Sequence, residues 1–157
     1  MTGKYGADHA KVLAPAPLFY GVLFIVGLIA QRVLPLALST LSVQIYIGWL
    51  VILASIPIVL YAVLELKRVG TAFDARKSTS IIVEGGPFRY TRNPTYLSLT
   101  LLTVGLSLVL NSVWLLVGSV VATTLTHLFV VIPEETYLSA KFGDSYDSYV
   151  RRVRRWM

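Results

Sequence analysis

Three long stretches of the chain contain no charged residue, and they constrain the fold more than any other feature. Residues 12–31, 33–64 and 93–133 hold no Asp, Glu, Lys or Arg. A transmembrane helix needs roughly 20 consecutive apolar residues, so each stretch is long enough to span a bilayer. The composition agrees, since 55% of the residues are hydrophobic and only 14% are charged. The sequence therefore predicts an integral membrane protein.

Breaks inside these stretches divide them into four predicted helices. Pro35 and Ser39–Thr40 separate the first two stretches, and each of these gives one helix. The third stretch is twice the length of one span, and Asn111–Ser112 is the strong turn signal near its middle. The predicted helices cover about residues 17–34, 43–64, 94–110 and 113–132. The predicted fold class is all-α, one domain of residues 1–157, with an N-terminal helical pair (1–66) and a core (67–157).

The basic residues are distributed very unevenly between the two sides that four spans define. One side holds both termini and the loop between helices 2 and 3, and the other holds Arg32 alone. The basic residues of the first side are Lys4, Lys11, Lys67, Arg68, Arg76, Lys77, Arg89, Arg92, Lys141, Arg151, Arg152, Arg154 and Arg155. Lys and Arg accumulate in short cytosolic loops, so this side is predicted to be cytosolic. All acidic residues lie there too, and we expect the site there.

Composition excludes several classes of function. The chain has no Cys, and its two His residues are too few for a histidine metal cluster. The net charge of +6 is explained by juxtamembrane Lys and Arg that meet anionic lipid headgroups. No nucleic-acid-binding motif accompanies these residues. We therefore expect no metal and no nucleic acid. Membrane lipids are the expected partners, and the sequence leaves a homo-oligomer open.

The loop before helix 3 is the first candidate site. At residues 67–93 it exceeds the roughly 15 residues above which connections usually have a function or are disordered. Asn93 is a preferred N-cap and Pro94 a preferred first helical residue, so helix 3 should begin here. A helix N-terminus attracts anions, and Arg89 and Arg92 lie one turn upstream. Two interpretations stay open: an anion site, or arginines that mark the membrane border.

Helix 4 returns to the same side and ends near Pro133, which Glu134 and Glu135 follow. The tight turn between helices 3 and 4 makes them antiparallel neighbours, so this Glu pair should meet Arg92 and Asn93. A Pro followed by two acidic residues is also an ordinary helix start. Paired carboxylates beside the hydrocarbon nevertheless need partners, which a cation or a hydroxyl-rich ligand would supply.

Two further features lie near this predicted site. His127 shares a face of helix 4 with Thr123 and Thr126, and both packing and a site role stay open. After a short helix, Gly143 is a predicted C-cap and Asp144 the next N-cap. The last segment predicts a cytosolic amphipathic helix at the membrane interface, which could cover the site. Its apolar face consists of Tyr146, Tyr149, Val150, Val153 and Met157, with Trp156 at headgroup level.

Taken together, these segments resemble the isoprenylcysteine carboxyl methyltransferase and phospholipid methyltransferase group. The similar segments are GGPFRYTRNPTYLS, an apolar hairpin, and PEETYLSAKFGDSYDSYVRRVRRW. In that group an Arg-His-Pro-x-Tyr-x-Gly segment is followed, after apolar helices, by a Glu-Glu pair. The resemblance extends over about residues 69–156. Asn93 stands where the group usually has His, and Ser98 where it usually has Gly, so no proton transfer is implied at residue 93.

The resemblance implies an S-adenosylmethionine-dependent methyltransferase with S-adenosylhomocysteine as product. It implies that the cofactor carboxylate lies at the N-terminus of helix 3, and that its ammonium and ribose hydroxyls meet Glu134 or Glu135. Arg92, Asn93 and Glu135 are expected to align the reactants, and no catalytic nucleophile is implied. The expected cofactor-binding residues are Val83, Gly85, Gly86, Pro87, Arg89, Tyr90, Arg92, Asn93, Pro94, Tyr96, Leu97, His127, Glu134 and Glu135.

The acceptor is expected to be a lipophilic small molecule or a lipid that enters from the bilayer, and the methylated atom is left open. Two other classes of function also stay open. One is a membrane reductase with a dinucleotide cofactor, although no Gly-x-Gly-x-x-Gly fingerprint is present. The other is a non-enzymatic assembly or transport protein, although transporters usually carry broken helices and midplane charges.

Overall fold

The computed structural model describes residues 10, 12–70 and 81–157, and every regular element in these ranges is helical. The elements are α1 (Ala16–Val33), α2 (Val43–Arg68), a 3-10 turn (Gly86–Arg89), α3 (Pro94–Val109), α4 (Val113–Thr126), a π-helical turn (His127–Val131), α5 (Ile132–Phe142) and α6 (Asp144–Arg152). Lys4, Lys11, Arg76 and Lys77, which contribute to the orientation prediction, lie outside the described residues.

Three helices are long and apolar enough to cross a membrane. They are α1, α2 and the continuous helix Val113–Phe142, which α4, the π-helical turn and α5 form together. Large apolar side chains cover their outer surfaces, among them Ile25, Leu53 and Val120, each between 59% and 60% exposed. The predicted all-helical fold is therefore confirmed, with three helices that are long and apolar enough to span a membrane. α3 is apolar but only 16 residues long, roughly 24 Å, so a fourth span and the cytosolic orientation stay predictions.

The predicted helix ends are wrong at two places. α2 continues to Arg68 instead of stopping near residue 64, because charged residues such as Lys67 are good helix formers beyond the apolar part. The helix that begins at Val113 continues past Pro133 without a break. Proline removes the N–H that would bond to the carbonyl four residues earlier. That carbonyl, Phe129 O, accepts a hydrogen bond from Leu13 N (3.4 Å) instead.

Glycines allow the helices to pack closely in two pairs. Where α2 crosses α3, a Cβ on Gly48 would lie 2.8 Å from Gly105 O, and a Cβ on Gly105 would lie 2.9 Å from Gly48 O. In the α1–α4 pair, a Cβ on Gly27 would lie 2.8 Å from a Leu115 methyl group. Small residues at such crossings let backbones approach within membranes. The bundle therefore consists of two close helix pairs.

A cluster of three hydroxyl groups connects α1, α3 and α4 across the bundle. The Tyr20 hydroxyl lies 2.8 Å from Thr100 Oγ1 and 3.3 Å from Thr123 Oγ1, and the two threonine oxygens are 3.1 Å apart. Thr100 and Thr123 also donate to backbone carbonyls one turn earlier in their own helices. Each hydroxyl is thus satisfied inside the bundle, as a low-dielectric interior requires.

The turn between α3 and α4 is fixed by Asn111 and Ser112. Asn111 has φ 48°, and its side chain accepts from the Leu38 and Ser39 N–H groups and donates to Ser39 O. Ser112 caps α4, since its hydroxyl accepts from Leu115 N. The predicted turn is confirmed, and it makes α3 and α4 antiparallel.

The C-terminal segment differs from its prediction in two respects. Gly143 (φ 53°) ends α5 and also precedes α6, so Asp144 is the first helical residue and not the N-cap. The helix ends at Arg152, and Val153 is extended, which leaves Met157 74% exposed and off the apolar face. The remaining apolar face packs against protein. Tyr146, Tyr149 and Val153 are buried there against Ile82, Leu138, Phe142 and Val150.

Candidate functional site

The N-terminus of α3 and the first turn of α5 lie side by side at one end of the bundle, which we call the basic end. Arg92 Nη1 lies 3.2 Å from Glu135 Oε1, and these side chains are only 10% and 15% exposed. The antiparallel α3–α4 hairpin produces this contact between residues that are 43 positions apart. The Arg92 segment and the Glu pair therefore meet, as the antiparallel hairpin predicted.

Glu135 lies between two guanidinium groups. Besides Arg92 it binds Arg155, whose Nε lies 3.1 Å and 3.2 Å from the two carboxylate oxygens and whose Nη2 lies 2.8 Å from Oε2. Bidentate Arg–carboxylate pairs of this kind are stronger and more directional than single hydrogen bonds. The hydrogen bond to Glu135 raises the pKa of Arg155 above its ordinary value. One carboxylate therefore holds both guanidinium groups.

The C-terminal tail is also bonded to the start of α3 through its backbone. Arg92 N donates to Arg154 O (3.0 Å), while Thr91 Oγ1 (3.1 Å) and Asn93 Nδ2 (3.0 Å) donate to Arg155 O. Asn93 occupies the predicted N-cap position, but its side chain makes no capping bond to α3. The predicted helix start is confirmed, and the Asn93 amide bonds to the tail carbonyl instead of to α3.

Glu134 is held separately from Glu135. Its Oε2 accepts a hydrogen bond from the Tyr96 hydroxyl (3.0 Å), which comes from the first turn of α3. Glu134 and Glu135 therefore have different surroundings, although they are adjacent in sequence. The first faces a phenol and the second faces two guanidinium groups.

A cavity of about 80 Å³ adjoins these residues. Arg92, Asn93, Glu134 and Glu135 form its polar wall, and most of the remaining wall is apolar or aromatic. The other lining residues are Leu66, Ile81, Ile82, Val83, Phe88, Leu138, Tyr146 and Tyr149. Arg92 Nε is buried and has no hydrogen-bond partner within the described residues. A buried donor of this kind suits a ligand carboxylate, so the residues fit the anionic end of S-adenosylmethionine.

The two tyrosines of α6 stay neutral where they line this cavity. Burial, followed by the nearby Glu135 carboxylate, raises the pKa of Tyr146 to about 12. Burial also raises the pKa of Tyr149, whose hydroxyl donates to Phe88 O (2.8 Å). These phenols therefore close one wall without adding negative charge at neutral pH.

Not every predicted site residue lies around this cavity. Gly86, Pro87, Arg89 and Tyr90 line a different space, between the 3-10 turn and α2. Gly85 packs against Glu65, whose carboxylate would clash with a Cβ at that position. Pro94 and Leu97 are buried at the start of α3. The predicted set is thus divided between the cavity, the space beside α2, and residues that line neither of them: Gly85, Pro94, Tyr96, Leu97 and His127.

His127 lies beside the tail, in the π-helical turn just before the Glu pair. Its ring centroid lies 6.0 Å from that of Trp156, tilted by 45°. His127 Nδ1 and Thr126 Oγ1 are buried without a hydrogen-bond partner within the described ranges. π-helical turns often occur at functional sites because they locally reset side-chain directions. Here the turn sets the direction from which Glu134 and Glu135 approach α3.

Several residues of the site were not predicted from the sequence. Arg155, Phe88, Tyr146 and Tyr149 contribute to it through contacts between distant segments, for which no local pattern exists. Glu65 could have been noticed, because it is the first charged residue after the apolar part of α2. Its side chain is 16% exposed, and its carboxylate lies 3.7 Å from Arg68.

The described part of the chain contains no cluster of metal-ligating side chains. No group of three or more His, Cys, Asp or Glu side chains comes close enough there to hold a metal ion. The polar groups around the cavity are instead guanidinium, carboxylate, amide and phenol groups, which bind organic ligands by hydrogen bonds and charge.

Comparison with known proteins agrees with this geometry. The chain is 39% identical over 62 residues to an uncharacterised protein of Haemophilus influenzae, an alignment that covers 40% of this chain and 98% of the relative. The family model described as phospholipid methyltransferase matches residues 43–145, about two thirds of the chain, from the start of α2 to α6. The chain therefore belongs to the phospholipid methyltransferase family.

Proposed function

We propose that the protein transfers a methyl group from S-adenosylmethionine to a lipophilic acceptor in the membrane. The observation that supports this most strongly is Arg92, a buried guanidinium beside the N-terminus of α3 whose Nε has no partner within the described residues. A buried donor left unpaired costs about 1–3 kcal/mol, so a carboxylate bound there would remove that cost. The positive end of the α3 dipole favours the same charge.

The two glutamates have different roles in this proposal. Glu135 is already bound by two guanidinium groups, so it holds Arg92 in place instead of binding a ligand ammonium. Glu134, which accepts a hydrogen bond from Tyr96, also lines the cavity, where its carboxylate can meet an ammonium or a ribose hydroxyl. The family resemblance allowed either glutamate, and the geometry favours Glu134.

S-adenosylmethionine would supply an electrophilic methyl group on a sulfonium, so the protein needs no nucleophile of its own. The contribution of this chain is to position both reactants and to exclude water. Val83, Phe88 and Leu138 provide apolar walls, and the neutral phenol of Tyr146 adds no competing charge. The absence of a base at Asn93 is compatible with this role, because its amide is used to hold the tail.

The size of the cavity makes the C-terminal segment part of the proposal. Ligand pockets usually enclose about 300–1,000 Å³, whereas this cavity encloses about 80 Å³. Tyr146 and Tyr149 form one wall, and the tail that follows them is held by Arg155. We infer that α6 and the tail move outward together to admit the cofactor and then close over it.

The acceptor in this proposal is a lipid or another lipophile, as the family suggests. The proposal is tested with membranes from cells that express the protein, incubated with S-adenosylmethionine labelled in its methyl group. We expect label in the organic extract with wild-type protein and a strong loss with Arg92→Gln, at equal protein level. Equal label in membranes with and without the protein would contradict the proposal.

A further inference from the structure

A second space lies on the other side of the 3-10 turn from the central cavity. We call it the α2 groove, and it encloses about 400 Å³. Pro57, Ile58 and Tyr61 of α2 form one wall, and the 3-10 turn forms the other together with Tyr90. Apart from Arg89 and the tyrosine hydroxyls, the side chains that line it are apolar. No residue of the Arg92–Glu135 network lines it, so it is a separate site.

The α2 groove runs from the basic end into the apolar part of the bundle. Pro57 precedes the last residue of α2, Arg68, by 11 positions, which is roughly 16 Å along a helix. Leu53, Leu60 and Leu64 on the same helix are between 56% and 60% exposed, so the helix surface beside the groove is suited to lipid. An acyl chain could therefore enter the groove sideways without crossing water.

Arg89 gives this groove a positive charge, and none of the acidic residues in the described ranges forms an ion pair with it. Its side chain is exposed at the groove and makes no hydrogen bond or ion pair with a described residue. Three other arginines of the basic end are paired with carboxylates, since Arg92 and Arg155 bind Glu135 and Arg152 binds Glu84 (2.8 Å). An unpaired guanidinium is well suited to a phosphate, which it can bind through two parallel N–H groups.

Two exposed tyrosines accompany Arg89 in the groove. Tyr61 is 64% exposed and Tyr90 is 77% exposed. Tyrosine favours the membrane–water interface because its ring is apolar and its hydroxyl is polar. The groove thus has a cation and phenols at its polar end and an apolar wall below them, which matches the order of groups in a phospholipid.

We propose that the α2 groove binds one anionic phospholipid, with the phosphate on Arg89 and an acyl chain along Pro57, Ile58 and Tyr61. A zwitterionic lipid fits less well, because its own ammonium group competes with Arg89 for the phosphate. This assigns Arg89 to a lipid instead of to the cofactor carboxylate. Binding can be measured without any cofactor, so the outcome does not depend on methyl transfer.

The test compares phosphatidylglycerol with phosphatidylcholine of the same acyl chains. Each lipid is added to the purified full-length protein in detergent, and bound lipid is counted by native mass spectrometry. We expect one retained phosphatidylglycerol, bound about fivefold more tightly than phosphatidylcholine, the factor that one basic residue near an anionic lipid contributes. Equal retention of the two lipids would overturn the proposal.

Three variants separate the groove from general surface charge. Arg89→Gln should abolish the preference for phosphatidylglycerol. Arg151→Gln removes one positive charge from the exposed side of α6 and should leave that lipid preference unchanged. Ile58→Trp leaves every charge in place but fills the groove, so it should also lose the lipid. Retention by Arg89→Gln at the wild-type level would contradict the phosphate contact, and retention by Ile58→Trp would contradict the acyl-chain path.

Discussion

Glu135 illustrates how one buried carboxylate can organise two positive charges at the basic end. Arg92 and Arg155 approach it from different segments, at 3.2 Å and 2.8 Å. Removing Glu135 would leave the largely buried Arg92 guanidinium without its counterion, which destabilises the folded state. The arrangement holds Arg92 in place, and its buried Nε has no hydrogen-bond partner within the described residues. At the residue scale, the site is therefore the Arg92 guanidinium, which Glu135 holds in place as its counterion.

Asn93 provides a stability test at this scale. Its amide donates to Arg155 O, and its side chain makes no cap on α3. Asn93→Ala should cost about 0.5–1.5 kcal/mol, because Arg155 O loses one of its two donors and keeps the hydrogen bond from Thr91 Oγ1. The expected result is a lower thermal unfolding midpoint in detergent, together with faster amide hydrogen exchange at residues 153–156. Unchanged exchange in the tail would show that this hydrogen bond does not hold it.

Tyr146 provides a test against pH. Burial raises the pKa of Tyr146 from 10.0 to about 12. Between these two pH values, the phenol keeps its proton when α6 is packed in place and loses it when α6 is released. The stabilisation is complete below about pH 10 and is lost as the pH rises toward 12. Phenolate absorbance can be titrated in the wild type and in Tyr146→Phe. The phenolate signal that the variant lacks should titrate near pH 12. A difference that titrates near pH 10 would show that Tyr146 is not buried.

At the scale of elements, two helix pairs define the bundle, and glycines set their separation. Gly105 is buried in α3, and the α2 backbone comes so close that a Cβ would lie 2.9 Å from Gly48 O. A backbone oxygen cannot move aside as the end of a flexible side chain can. The start of α3, and with it Arg92, is positioned by this crossing.

Gly105→Ala tests the close packing of α2 against α3. The added methyl group would also lie 2.7 Å from Ile52 Cγ1, so we expect a loss of about 1–3 kcal/mol from overpacking. Gly21→Ala in α1 is the matched control, because a Cβ there meets nothing within 4 Å. Thermal unfolding followed by circular dichroism should show a lower midpoint for Gly105→Ala alone. Similar midpoints for the two variants would contradict the close crossing.

Helix positions were predictable where the sequence itself marks them. The charge-free stretches located α1, α3 and the start of α2, and Asn111–Ser112 located the turn. The π-helical turn was missed because Pro133 looked like a helix start. The helix can continue through Pro133 because Phe129 O accepts a hydrogen bond from Leu13 N, more than a hundred residues away in the chain. Such compensation between distant residues leaves no local signal.

At the scale of the whole molecule, the basic end is assembled from segments that are far apart in the chain. The turn before α3, the first turn of α5 and the tail after α6 converge around Arg92 and Glu135. The contact between the start of α3 and the start of α5 could be predicted, because a tight turn joins α3 to α4 and α5 continues from α4. The docking of the tail could not, because an amphipathic pattern does not distinguish a lipid surface from a protein surface.

The central claim is that this convergence binds S-adenosylmethionine. It is tested most directly by titrating the purified protein in detergent with S-adenosylhomocysteine by calorimetry. We predict saturable binding that weakens at least about tenfold in Arg92→Gln, which removes a charge-assisted hydrogen bond, and that is unchanged in Arg151→Gln. No binding by the wild type at about 1 mM ligand, or equal binding by Arg92→Gln, would contradict the account.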